Sequence, residues 1–132
     1  MVETDNIKDM YKFKTPALRN VSLTAPYGHN GAYPTLKSII QHHLNPIKMN
    51  KNWKPEFANL PKAPWLEEID FVTFSDKREQ DRILSSIDIQ PIELNDKEID
   101  ELVSFLESLT GRSGNQRPLG KPDKVPSGLS ID

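Results

Sequence analysis

The sequence predicts a mostly helical chain with long irregular loops, and three observations carry that expectation. Leu36, Ile39 and Ile40, and later Ile99, Leu102, Val103, Leu106 and Leu109, repeat at helical spacing. The 11 prolines cluster outside these periodic segments, where they break regular helix. Only 36% of the 132 residues are hydrophobic, and the mean hydropathy is -0.61. That is thin for one self-sufficient core, and a chain of this length fits one domain at most.

In chain order, residues 1–12 read as a polar lead-in. From Phe13 to Pro34 the signals are turns: Thr15-Pro16, Ala25-Pro26, Asn30-Gly31 and Tyr33-Pro34. Such a stretch is expected to wrap around something rather than form a regular element. Thr35 then reads as an N-cap, because its hydroxyl can accept from the free amides of the next turn. The helix it opens should run to about Leu44 and stop at Asn45-Pro46. Counting on from Leu36, Ile39 and Ile40, the next member of the apolar stripe is His43. His42 is rotated from it by about 100° and is expected to lean toward solvent.

Residues 45–74 read as a long loop pinned by Met49, Trp53, Phe57, Leu60, Trp65 and Leu66, whose spacing is irregular. A second helix is expected over 76–87, capped by Ser75, with Ile83 and Leu84 against the core. The strongest helix pattern is the last. Asn95 caps it, Glu98 follows three residues later as in a capping box, and Gly111 is placed to stop it. Residues 112–132 form a Pro-, Gly- and Ser-rich tail, expected to be extended.

Composition removes several function classes. The formal net charge is -2 and the lysines form no basic stripe, so nucleic acid is not an expected partner. No apolar run approaches the ~20 residues that span a bilayer. The first residues, Met1-Val2-Glu3-Thr4-Asp5-Asn6, lack the basic start and apolar middle of a signal peptide. With no cysteine, these residues can form no disulfide, no thiolate nucleophile and no thioether link to a haem.

Three histidines carry the candidate chemistry: His29, His42 and His43. Zinc needs three or four converging ligands, and neighbouring histidines on a helix do not easily face one ion. His43 admits two readings. An imidazole on an apolar helix face is suited to approach a buried macrocycle as an axial ligand. From periodicity alone the other reading leads, a core histidine satisfied by the backbone, as most buried polar groups are.

The segment Phe13-Lys14-Thr15-Pro16-Ala17-Leu18-Arg19-Asn20, then Thr24-Ala25-Pro26-Tyr27-Gly28-His29-Asn30-Gly31, then the Thr35-Leu36 helix, resembles the C-terminal haem domain of the bacterial di-haem cytochrome c peroxidase/MauG family. The resemblance spans residues 12–45 and extends to the closing helix, Leu94 to Gly111. Val125-Pro126-Ser127-Gly128-Leu129 is similar to the ending of one subgroup. It implies a partial cytochrome c-like domain over 1–111, haem c as cofactor, and electron transfer within a peroxide-reducing protein. It implies that Pro16, Arg19, Asn20, Tyr27, His29 and His43 lie at the haem. His43 would be the axial ligand to iron, in the place of the family's methionine or tyrosine, with Met49 the nearest sulfur alternative. Arg19 and Asn20 would lie near the propionates, and Tyr27 and His29 at an interdomain face. Thr24 and Pro26 match carbonyl ligands of a calcium ion.

The family's motif aspartate is Asn30 here. Its Cys-x-x-Cys-His segments are absent, so the chain by itself is not expected to reduce peroxide. The resemblance implies a haem-bearing remainder or separate subunit as partner, a small cytochrome or copper protein as redox partner, and a periplasmic setting. Two other readings stand beside it: a remnant or split subunit that lends a ligand helix, and a binding module without cofactor.

Overall fold

The computed structural model describes residues 9–60, 63–66 and 69–111. The tail at 112–132 lies outside the described residues, as does most of the polar lead-in. Among the described residues five α-helices follow one another: α1 (Leu36–Leu44), α2 (Pro46–Asn52), α3 (Val72–Ser75), α4 (Lys77–Ser85) and α5 (Asp96–Ser108). Short 3-10 turns occupy Val21–Leu23, His29–Gly31 and Pro55–Phe57. Among the described residues there is no β-strand, only an isolated bridge between Tyr27 and Tyr33. The mostly helical class with long loops is therefore what the structure has. No helix among the described residues is long and apolar enough to cross a membrane.

The core is small and is built around a loop. Tyr27, Tyr33 and Leu36 form its centre, with Val21, Ala32, Ile39, Met49, Trp53, Val103 and Leu106 packed against them. The loop from Tyr27 to Tyr33 closes through two backbone bonds, Tyr27 N–H to Tyr33 O at 2.7 Å and Tyr33 N–H to Tyr27 O at 3.0 Å. Its reversal uses left-handed backbone at Gly28, Asn30 and Gly31. Gly31 is needed twice over: its φ is +68°, and a Cβ there would lie 2.9 Å from Pro26 Cγ.

Helix α1 starts as expected. Thr35 Oγ1 accepts from Ser38 N–H, and the Ser38 hydroxyl returns the contact to the Thr35 backbone. The break at Asn45-Pro46 is real, but the long loop expected after it is not. Asn45 Oδ1 accepts from Lys48 N–H at 2.9 Å and opens α2, with Pro46 at the helix start. Proline there loses no bond, because the first-turn amides have no helical partner anyway. Among the aromatic residues of that stretch, Trp53 does pin the chain. It donates Nε1–H to Ala32 O at 2.9 Å and packs against Phe71 and Phe74. Trp65 does not, being 79% exposed.

Helix α4 is capped by Asp76, which accepts from Arg78 and Glu79 N–H, rather than by Ser75. Ile83 and Leu84 are half-buried. Helix α5 has the expected reciprocal box between Asn95 and Glu98. Its end differs from expectation. Gly111 is not left-handed; instead its N–H donates to Asn20 Oδ1 at 2.8 Å, while Asn20 N–H donates to Leu109 O at 3.2 Å. A residue from the far end of the chain thus supplies the stop.

Candidate functional site

The site begins at the last turn of α1. Its stripe holds for Leu36 and Ile40, which are buried, and for Ile39, which is half-buried. It fails one turn later. His43 is exposed and His42 is half-buried, the reverse of the sequence expectation. The reason is a specific partner. The Tyr33 hydroxyl lies 2.8 Å from His42 Nδ1, and the two rings sit 5.0 Å apart. That bond draws His42 toward the core, and no described side chain covers the end of the stripe at His43. Burial, and secondarily the neighbouring His43, hold the His42 pKa below its ordinary value, so the ring is favoured neutral. Burial raises the Tyr33 and Tyr27 phenols above theirs.

The other expected site residues separate into two groups. Tyr27 is not at an outer face: it is buried, and its hydroxyl donates to Val21 O at 3.0 Å. Its backbone pairing with Tyr33 turns the side chain into the core. Asn20 holds the end of α5. Thr24 and Pro26 are exposed, and among the described residues no group of three or more His, Asp or Glu side chains converges that could hold a metal ion. Met49 is half-buried and packs against the core cluster. In the second group, Pro16 lies in an exposed stretch with Phe13 and Leu18, which are 72% and 47% exposed. Arg19 is exposed and forms no ion pair among the described residues. His29 is exposed, with its ring 4.9 Å from that of Phe13.

The donor chemistry of this surface fits a haem, while its enclosure is not made by the described residues. His43 offers an imidazole that makes no hydrogen bond among them, and Arg19 a guanidinium suited to a carboxylate. The exposed His43 nevertheless has no wall around it, so any apolar pocket has to be completed from outside the described chain. Sequence reasoning named Trp53 as a pin but missed Tyr33 as an organiser. Tyr33-Pro34 reads only as a turn, and the one available signal was a pair of tyrosines flanking a loop of Gly28, Asn30 and Gly31.

No family model matches the chain, and no solved structure matches it either. Relatives of known name do. Methylamine utilization protein MauG of Paracoccus denitrificans (strain Pd 1222) is 38% identical over 106 residues, covering 76% of this chain and 23% of that protein. Cytochrome-c peroxidase IdrP1 of Denitromonas iodatirespirans is 50% identical over 38 residues, 29% of this chain and 10% of that protein. The protein of the same name from Pseudomonas sp. (strain SCT) is 45% identical over 40 residues, 30% of this chain and 11% of the relative. The chain thus spans less than a quarter of the length of these relatives. Similarity over most of the sequence to one such protein, repeated locally in two others, makes the chain a member of the MauG and cytochrome-c peroxidase family.

Proposed function

We propose that residues 1–111 form part of the C-terminal haem domain of a di-haem cytochrome c peroxidase-like protein, with His43 as an axial ligand to a haem attached elsewhere. The observation that carries this reading is the 38% identity to MauG over 76% of this chain; the His43 ring is exposed, not turned inward as the sequence predicts, so a haem would have to meet it from outside the described residues. When bound, the haem supplies one-electron chemistry. The chain's own contribution is to hold His43 on a rigid element and to offer Arg19 to a propionate. It also lays apolar side chains, Phe13 and Leu18, along an exposed segment. The attachment cysteines belong to a haem-bearing remainder or subunit, since this sequence has none. The family resemblance points to a periplasmic setting and to a small cytochrome or copper protein as electron partner. Hydrogen peroxide reduction belongs to the assembled protein, not to this chain alone.

The test is a spectrum of the purified chain titrated with a haem peptide that carries its own Cys-x-x-Cys-His segment. A low-spin, bis-imidazole Soret band that is lost in His43→Ala supports the reading. No Soret shift with the unaltered chain refutes it. A potentiometric titration of the complex should give a low potential, because thioether ligation raises it. A strongly positive potential would transfer the role to Met49. The competing reading, a binding module without cofactor, is favoured by the lack of an enclosing wall at His43 and gains if no shift is seen.

A further inference from the structure

We propose that Tyr33 and His42 are positioning residues that set the orientation of the His43 imidazole through a stack of three rings. The identity of what His43 binds rests on the function proposed above; the geometric claim does not, and it is testable on the chain without haem.

The stack starts from a fixed point. Tyr33 is only 6% exposed. Its backbone is locked on both sides by the paired bonds to Tyr27. Its ring lies in the core beside Leu36. A side chain held this way has one accessible position for its hydroxyl. That hydroxyl meets His42 Nδ1 at 2.8 Å, and the rings are tilted by 40° at a centroid distance of 5.0 Å. The hydrogen bond fixes the tilt of the His42 ring, and the ring packing limits its sliding.

His42 in turn meets His43. Their ring centroids are 5.7 Å apart and the planes meet edge to face at 71°. His43 has no hydrogen bond among the described residues, so this edge contact is the one described restraint on its ring. The helix beneath is itself held at both ends. Thr35 and Ser38 cap its start, and Asn45, at its end, caps the next helix. The backbone at 42 and 43 thus lies in a helix tied at both ends.

Metal-binding imidazoles are generally oriented by a second contact behind the ligand, most often a hydrogen bond to the other ring nitrogen. Here the supporting contact is an aromatic edge, anchored one residue back on a buried phenol. A solvent-facing histidine without it would sample several rotamers and lose that freedom on binding. Holding it in advance removes the loss, roughly a three- to tenfold gain in affinity for one ordered side chain.

The experiment uses the whole chain in two readouts. The first is the rotamer population of His43, from side-chain couplings in a histidine-labelled sample without haem. One dominant rotamer is expected in the unaltered chain, and averaging in both Tyr33→Phe and His42→Leu. The second is affinity for the haem peptide, expected to fall roughly three- to tenfold in each variant, with altered low-spin g-values. Far-UV circular dichroism checks that each variant folds. Should Tyr33→Phe fail to fold, His42→Asn keeps an acceptor for the phenol while deleting the ring, and the same averaging is expected. The proposal is overturned if His43 is already averaged in the unaltered chain, or if its rotamer is unchanged in the variants. It is also overturned if affinity for the peptide is lost only in His43→Ala. A chain whose His43 responds as expected but binds no haem peptide would refute the function above and leave the positioning intact.

Discussion

Replacing Asn20 separates two jobs that the structure gives one residue. Its backbone is left-handed, φ 57° and ψ 22°, and its side-chain oxygen accepts from Gly111 N–H at 2.8 Å. Asn20→Ala removes that bond, about 1 kcal/mol for an ordinary hydrogen bond. It also places a Cβ residue without local polar compensation in left-handed backbone, a cost of roughly 1 kcal/mol beyond what asparagine bears. The expected loss is about 2 kcal/mol, close to a thirtyfold change in an opening equilibrium. Asn20→Gly loses the same bond but accepts the backbone, so about 1 kcal/mol is expected. Asn20→Asp keeps both and should stay within about 0.5 kcal/mol. The assay is amide hydrogen exchange at Gly111 and over the last turn of α5, which reports local opening whether or not the chain unfolds as one unit. The order Ala, then Gly, then Asp is the prediction. If Gly opens α5 as much as Ala, the left-handed backbone carries no cost. If Asp opens it as much as Ala, the side-chain oxygen is not the contact.

Three further outcomes follow from the same geometry. His43→Ala should leave the melting of the chain nearly unchanged, within about 0.5 kcal/mol for an exposed residue, while abolishing the haem-peptide spectrum; a large loss of stability would mean the ring is buried after all. Asn45→Ala removes the cap of α2 and should cost about 1 kcal/mol, read as reduced helicity by circular dichroism; no change would mean that Pro46 alone starts the helix. The His42 pKa is held below its ordinary 6.5, first by burial and then by His43. The unfolded chain therefore takes up this proton first as pH falls. Stability should be insensitive to this group above the ordinary value and should decline below it, down to the folded pKa. Thermal melts across that range, repeated on His42→Gln, check the slope; an equal slope in both would assign it elsewhere.

What the sequence made legible was governed by local rules. The caps at Thr35 and Asn95 and the extent of α1 depend on neighbours within one turn, and they are found where the spacing put them. Helix α2 escaped because Pro46 was read as a terminator, although at a first helical position it is an initiator. The orientation of His42 and His43 escaped for a different reason. Helical periodicity describes one helix against one flat wall, whereas here the wall is a loop whose phenol reaches one flank and leaves the end of the stripe uncovered. The stop of α5 was equally illegible, since its partner lies 91 residues away.

The residues that carry the family resemblance do not all carry chemistry, and the structure sorts them. Tyr27 closes the core loop, Pro26 fills the space that Gly31 leaves, Asn20 holds the end of α5, and the Thr24 hydroxyl donates to Val21 O. Each has a folding task that explains its residue type without reference to any ligand. Arg19, His29 and His43 are different. Their side chains are exposed and make no hydrogen bond or ion pair among the described residues, and ring packing is the contact described for the two histidines. A charged guanidinium and two imidazoles set on otherwise well-tied backbone make no polar side-chain contact among the described residues. Variants at these three positions are expected to leave the stability of the described fold nearly unchanged, so any effect they have on haem-peptide binding would report a ligand contact, in a way that variants at Asn20 or Tyr27 cannot.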